Sequence, residues 1–173
     1  MTGSLDMDAA ALVAEPFGNY FAVFDAWAQQ HPDAPALRDD NGELTWAQMT
    51  DRIERIAARL IDTGLERGQS VCILGTSTIP YALVFLAAVR AGGVAAPLTT
   101  SASPVQLEAM AQDSGARHLF IDRAKADELG PDALAGYERI VMDEDLDDWM
   151  PPAGTRAPNF TPEKSDPFNI IYS

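Results

Sequence analysis

Two segments near the start of the chain repeat apolar residues at three- and four-residue spacing, which is the pattern of amphipathic helices. The spacing predicts one helix over residues 19–30 and a second from Thr45 to about Thr63. Thr45 is a suitable N-cap, and Gln48 completes a capping box with it. The apolar positions of the two helices are Tyr20, Val23, Phe24 and Trp27, followed by Met49, Ile53, Ile56, Leu60 and Ile61.

Short β-favouring runs bounded by turn residues predict strands. The first two are residues 36–38 and 43–45, and Asn41-Gly42 between them is a strong hairpin signal because both residues tolerate positive φ. The run 71–74 is unbroken, as in a strand whose two faces are both buried. Further strands are predicted at residues 94–98, 118–122, 139–142 and 168–172.

Helices are predicted between these later strands. Residues 79–91, with Thr78 as N-cap, are apolar nearly all round the helix, which indicates burial on more than one side. The sequence Ser103-Pro104-Val105-Gln106 combines a cap residue, a proline at the first helical position and a glutamine at the third. It predicts a helix that reaches Ser114, and a short helix is predicted at residues 124–129.

Strands and helices alternate from residue 70 onward with short connections, which is typical of βαβ units. The predicted fold class is therefore α/β, with a mostly parallel sheet flanked by helices and a short hairpin near the N-terminus. Residues 19–173 are expected to form one domain, preceded by a flexible lead-in at residues 1–18. Residues 143–166 are acidic and then proline-rich, and they are expected to form a surface linker that returns to the sheet.

The composition, 47% hydrophobic and 22% charged, is typical of a soluble globular domain. A formal net charge of −14 argues against nucleic acid and anionic membrane surfaces as partners. The longest apolar stretch, residues 81–89, is too short to cross a bilayer. The N-terminus lacks the positive region of a secretory signal, so a cytoplasmic location is expected. The single cysteine, Cys72, excludes an internal disulfide and is expected to be a buried apolar residue.

Several groups of polar residues could support chemistry, and each also has a structural interpretation. Backbone N–H groups in the turn 75–78 could hold a phosphate, but neither nucleotide-binding fingerprint is present and a helix cap is favoured. Asp39-Asp40 could bind Mg²⁺ and the acidic run 143–148 could bind Ca²⁺; a turn and a solvated stretch are favoured instead. His31 and His118 have no visible acidic or cysteine partner in the sequence, so structural roles are favoured.

Seven short motifs follow one another in residues 31–173. They are HPDAPAL at 31–37, LTWAQM at 44–49, RLIDTGLERGQSV at 59–71, FLAAVRAGGVAAPL at 85–98, SPVQL at 103–107, DSGAR at 113–117 and DPFNIIYS at 166–173. Their order resembles the N-terminal part of acyl-CoA synthetases and related adenylate-forming enzymes, and the resemblance covers about residues 19–173. The last motif is similar to the approach to that family's phosphate-binding loop, D-x-x-x-(I/L)-x-Y-(T/S)-S-G-T-T-G-x-P-K-G.

The resemblance implies a two-step reaction of the parent enzyme. A carboxylic acid would react with Mg·ATP to give an acyl-adenylate and pyrophosphate, and the thiol of CoA would then displace AMP. By motif matching, only Ser173 corresponds to a position that can contact an ATP phosphate. The resemblance implies no catalytic residue and no metal ligand in this segment. It is expected to be an N-terminal fragment of the ligase that is inactive alone and binds no cofactor.

Two other functions are compatible with the sequence. The chain could be a free-standing, non-catalytic α/β interaction module, or it could belong to an adenylation domain that loads a carrier protein instead of CoA. The apolar helix 79–91 and the last strand should normally face partners, and some of these are missing here. Exposed apolar surface, with self-association or marginal stability, is therefore predicted.

Overall fold

The computed structural model describes Ala11 and residues 19–172, which form a four-stranded parallel sheet, a two-stranded hairpin and the surrounding helices. The helices are α1 (Tyr20–Gln30), α2 (Trp46–Asp62), α3 (Ile79–Arg90), α4 (Pro104–Ser114), α5 (Arg123–Leu129) and α6 (Leu146–Trp149). The strands are β1 (Pro35–Asp39), β2 (Gly42–Thr45), β3 (Ser70–Leu74), β4 (Val94–Leu98), β5 (His118–Ile121) and β6 (Glu138–Val141).

The parallel sheet has the strand order β4-β3-β5-β6, and the predicted α/β class is confirmed. Successive side chains of β3 point to opposite faces of the sheet. Val71 and Ile73 lie in a core formed with α2 and α3, whereas Cys72 and Leu74 lie in a second core formed with α4 and α5. All five residues of β3 are buried, as the unbroken apolar run predicts. Burial also raises the pKa of the Cys72 thiol, in keeping with the role expected for it.

The predicted capping boxes are confirmed at the start of α2 and α4. The N–H of Gln48 donates to the Thr45 hydroxyl over 3.3 Å, and the Thr45 N–H donates to the Gln48 side chain over 2.9 Å. Ser103 and Gln106 make the same reciprocal pair. The observed starts of these helices coincide with the predicted ones because a capping box depends on residues only three positions apart.

The predicted last strand, residues 168–172, is wrong. Only an isolated parallel bridge joins Asn169 to Ala95, made by the Ala95 N–H to Phe168 O (3.3 Å) and the Ile170 N–H to Ala95 O (2.9 Å). The next residue of β4 that faces this edge is two positions on, and it is Pro97. Because proline has no backbone N–H, the ladder cannot continue there.

The predicted surface linker, residues 143–166, is also wrong in part, because it contains α6 and buries Leu146, Met150 and Ala157 against the core. Backbone groups of this segment are bound by charged side chains of the helices. Arg55 of α2 donates to Pro151 O over 2.7 Å, and the N–H of Ala157 donates to a Glu54 oxygen over 3.0 Å. The segment is thus packed on α2 rather than suspended in solvent.

The lead-in at residues 1–18, apart from Ala11, and the candidate site residue Ser173 lie outside the described residues. Within the described part, none of the helices combines the length and apolarity needed to cross a bilayer. The segment after Asp166 leaves apolar side chains in solvent, with Phe168 46% and Ile171 80% exposed. Whether this surface leads to self-association stays a prediction.

Candidate functional site

The chain changes direction across the sheet between β3 and β5. After β3 it passes through α3 to β4 on one side, and after β5 it passes through α5 to β6 on the other. In open α/β sheets, ligands bind at the carboxyl ends of the strands at such a point. The turn 75–78, which sequence analysis singled out as a possible phosphate site, lies here beside Asp122.

The Asp122 carboxylate occupies this crevice and binds its backbone donors. Its Oδ2 accepts hydrogen bonds from the Thr76 N–H (2.8 Å) and the Thr76 hydroxyl (3.3 Å), and its Oδ1 accepts from the Lys125 N–H (2.8 Å) at the start of α5. Asp122 is only 7% exposed. A Cβ on Gly75 would lie 2.8 Å from the same Oδ2, so glycine is needed where the carboxylate approaches the turn.

The N-terminus of α3 is bound by a second carboxylate. Thr78 occupies the cap position, but its side chain makes no capping hydrogen bond, so the prediction of a Thr78 cap is wrong in that respect. The Ile79 N–H instead donates to Asp39 Oδ2 over 2.8 Å. Asp39 Oδ1 accepts from the N–H groups of Asn41 and Gly42, which confirms the turn interpretation of the Asp39-Asp40 pair.

This crevice does not fit a phosphate. Its backbone donors at Thr76 and Ile79 already bind the protein's own carboxylates, and the adjoining open groove of about 570 Å³ is also lined by Glu43 and Asp143. A triphosphate would meet negative charge where it needs N–H groups and cations. The turn therefore has a structural role, in which Asp122 and Asp39, and not the Thr78 side chain, bind its backbone donors.

The acidic run 143–148 binds donors from two helices that lie far from it in the sequence. Asp143 accepts from the Arg123 N–H over 2.8 Å, and Asp147 pairs with Arg52 over 2.6 Å. In the part of the chain that the structure describes, there is no group of three or more His, Cys, Asp or Glu side chains that could hold a metal ion.

His118 is buried at the opposite end of the sheet, where β5 begins. Its Nε2 lies 2.8 Å from the Thr63 hydroxyl and 3.4 Å from a carboxylate oxygen of Glu138, a neighbour that sequence analysis missed. Glu138 is opposite His118 in the parallel register of β5 and β6, so only the strand order reveals the pair. Burial lowers the pKa of His118, with Arg117 adding to the effect and Glu138 opposing it.

We expect the free energy of unfolding to fall as the pH drops below 6.5, the reference pKa of histidine, because the unfolded chain then binds a proton that the folded His118 resists. Urea titrations at pH 7 and pH 5 should show a larger loss for the wild type than for His118→Gln. His31→Gln, which changes an exposed ring, should behave like the wild type. Equal pH dependence in all three proteins would contradict this assignment.

The other candidate site is the outer edge of β4, along which the segment 166–172 runs. Because Asn169 pairs with Ala95 in parallel, the segment advances towards the carboxyl end of β4. Tyr172 and Ile170 pack against the core on the α4 side, whereas Phe168 packs on the Phe85 ring of α3 at 5.6 Å between centroids. The chain thus runs along the edge of β4, in the same direction as the strand, as far as Tyr172.

Side chains hold both ends of this segment. At its start, Arg67 Nη2 donates to both oxygens of Asp166 over 2.8 Å, and its Nε donates to one of them over 3.1 Å. At its end, the Tyr172 hydroxyl donates to Met110 O over 2.8 Å and lies 3.2 Å from Asp113 Oδ2 of α4. All of these residues except Met110 belong to the sequence motifs described above. The motifs do not predict the contacts between them, because 59 to 99 residues separate the partners of each pair.

The family model of AMP-binding enzymes matches residues 24–173. The chain belongs to the AMP-binding enzyme family. Its match begins inside α1 and includes the whole parallel sheet and the segment 166–172. The resemblance given by the motif order is confirmed.

Sequence and structure comparisons agree with this membership. The chain is 28% identical to tenellin synthetase of Beauveria bassiana over 150 residues, which are 84% of this chain and 4% of the relative. The structure of the anthranilate CoA ligase AuaEII in complex with anthranoyl-AMP matches 96% of this chain and 33% of that chain, with a TM-score of 0.79 and 20% identity. A nonribosomal peptide synthetase, FmoA3, bound to α-methyl-L-serine-AMP matches 87% of this chain and 16% of that chain, with a TM-score of 0.74 and 23% identity.

The two structural matches, at this level of identity, establish the fold. The chain of this AMP-binding family member spans between 4% and 33% of the length of these three proteins. Ser173, the predicted phosphate contact, directly follows Tyr172 in the sequence, and the prediction for it remains open.

Proposed function

We propose that this chain is the N-terminal α/β subdomain of an adenylate-forming ligase that joins a carboxylic acid to CoA. In the first step a carboxylate oxygen would bond to the α-phosphorus of ATP while the bond to the departing pyrophosphate breaks. In the second step the CoA sulfur would bond to the acyl carbon, its proton would be lost, and AMP would leave. The observation that carries the proposal is the family match, which extends through residue 173 and includes the segment that lies parallel to β4.

The described residues would act as a scaffold in this reaction. The crevice at Asp122 is closed to phosphate, and no metal site is found among the described residues. ATP and Mg²⁺ are therefore expected to bind residues outside those described, and Mg²⁺ would supply charge neutralisation of the phosphates when bound. The part of the site that this chain would control is the position and direction of the backbone where it passes Tyr172.

A pyrophosphate exchange assay tests the proposal. The full protein encoded by the gene should incorporate labelled pyrophosphate into ATP only when a suitable carboxylic acid is present, and residues 1–173 expressed alone should not. A panel of aryl, fatty and amino acids would identify the substrate class. No exchange with any acid, or exchange catalysed by residues 1–173 alone, would overturn the proposed function.

A carrier protein is the second candidate acceptor, and the likeness to a nonribosomal peptide synthetase favours it. The likeness to an anthranilate CoA ligase is what supports CoA as the acceptor. The two acceptors are separated by adding each to the enzyme with its acid and ATP. Rapid acyl-CoA formation supports the first candidate; thioester formation only on a phosphopantetheinylated carrier supports the second.

A further inference from the structure

We propose that the Tyr172 hydroxyl, bound to α4, and the Arg67–Asp166 pair are positioning elements that set where the phosphate-binding backbone begins. The inference rests on the proposed function, in which the residues after Tyr172 bind ATP. It assigns a role to side chains that would not touch ATP themselves. They would act through the backbone that they hold.

The backbone alone provides little restraint for this segment. Two hydrogen bonds at Ala95 join it to the sheet, and Pro97 prevents the ladder from continuing. A segment held at one bridge retains conformational freedom at both ends, and ordering each further residue costs conformational entropy. The contacts of Arg67 and Tyr172 lie on the two sides of that bridge, so together they fix the position and the direction of the segment.

The Tyr172 hydroxyl is suited to a fixed contact. Burial, and then the neighbouring Asp113 carboxylate, raise the pKa of Tyr172 to about 12, so the hydroxyl keeps its proton and donates throughout the physiological range. Its hydrogen bond to Met110 O is 2.8 Å long and reaches the second turn of α4. Because α4 packs on β4 through the second core, this hydrogen bond fixes the end of the segment relative to the sheet.

The Arg67–Asp166 contact has a different character. The pair lies at the protein surface, but the guanidinium makes three N–H···O contacts to one carboxylate, which fixes direction better than a single contact does. Asp166 Oδ2 also accepts from the Glu163 N–H over 2.7 Å, so the carboxylate is itself held by the backbone. The Arg67 guanidinium in addition lies over the Phe160 ring, 5.3 Å from its centroid.

Tyr172→Phe in the full-length protein removes the hydroxyl and leaves the ring. We expect the KM for ATP in the exchange assay to rise about three- to tenfold, with a much smaller change in kcat and in the melting temperature. Tyr137→Phe is the matched control, because Tyr137 packs against the same core and lies outside the segment. It should leave the KM for ATP unchanged. An unchanged KM in Tyr172→Phe would overturn the inference.

Arg67→Met provides an independent variant at the other end of the segment. It should also raise the KM for ATP. The KM of the double variant Arg67→Met with Asp166→Asn should not exceed that of the more affected single variant, because both substitutions disrupt the same ion pair. If Tyr172→Phe proves too unstable to assay, the Arg67 and Asp166 variants test the inference. A KM for ATP equal to that of the wild type in both single variants would overturn it.

Hydrogen exchange separates this inference from the proposed function. In the full-length protein, backbone amides directly after Tyr172 should exchange faster in Tyr172→Phe than in Tyr137→Phe. This readout needs no activity, so it remains valid if the wild type catalyses no exchange of pyrophosphate and the proposed function fails. Equal exchange rates in the two variants would show that Tyr172 does not position the segment.

Discussion

Arg90→Met should lower the free energy of unfolding by about 3–5 kcal/mol, because it leaves the buried Glu54 carboxylate without its counter-ion. The two side chains are 10% and 5% exposed, and they form two N–H···O contacts of 2.6 and 3.1 Å. Arg90 also donates to Pro158 O over 3.0 Å. The pair therefore joins α2, α3 and the segment after α6, and its loss should be visible in urea titrations of residues 1–173.

A double-mutant cycle distinguishes an unpaired charge from simple loss of packing. Glu54→Leu with Arg90→Met should cost less than the sum of the single changes by about 2 kcal/mol or more. Some cost should remain, because the Ala157 N–H loses its acceptor in the variant. Arg38→Met breaks an exposed pair with Glu43 and serves as control, with an expected change below about 1 kcal/mol. Additive single effects would contradict this account of the pair.

Asp122→Ala should lower the free energy of unfolding by roughly 2–4 kcal/mol. The change removes the cap of α5, worth about 1 kcal/mol, and leaves the Thr76 N–H without a charged acceptor, worth about 1.5–3 kcal/mol. Thermal and urea unfolding of residues 1–173 would measure the loss. The cap of α5 and the turn after β3 share this one carboxylate, so both should lose stability in the same variant.

Asp122→Asn is the matched control for this position. Asparagine caps helices as well as aspartate does, so the bond to the Lys125 N–H should survive. The amide NH₂ would then face the Thr76 N–H, and we expect a loss of about 1–2 kcal/mol from that donor–donor contact. An alanine variant as stable as the wild type would show that Asp122 is not the link between β3 and α5.

The helix starts, the hairpin and the sheet class could be predicted because their signals are local. A capping box depends on residues three positions apart, as in Thr45 and Gln48, and the β3 pattern is complete within five residues. Thr78 shows the limit of such rules: it occupies the cap position but its side chain caps nothing, and the first N–H of α3, at Ile79, is bound by a carboxylate 40 positions away.

The remaining site features depend on tertiary contacts that no local pattern specifies. Asp122 meets Thr76 across 46 residues, and Glu54 meets Arg90 across 36. The predicted strand 168–172 has suitable residues, but its pairing fails because of Pro97 in another strand. A sequence pattern indicates whether a segment can pair, and only the sheet order shows which neighbour it meets.

A crystal structure of the full-length protein with ATP and Mg²⁺ tests the central claim most directly. The account predicts triphosphate density at the carboxyl end of β4, against the backbone that follows Tyr172, with the Tyr172 hydroxyl still bound to Met110 O. The turn 75–78 should remain bound to Asp122 and Asp39 and hold no phosphate. Triphosphate density in that turn, with the two carboxylates displaced, would contradict the account.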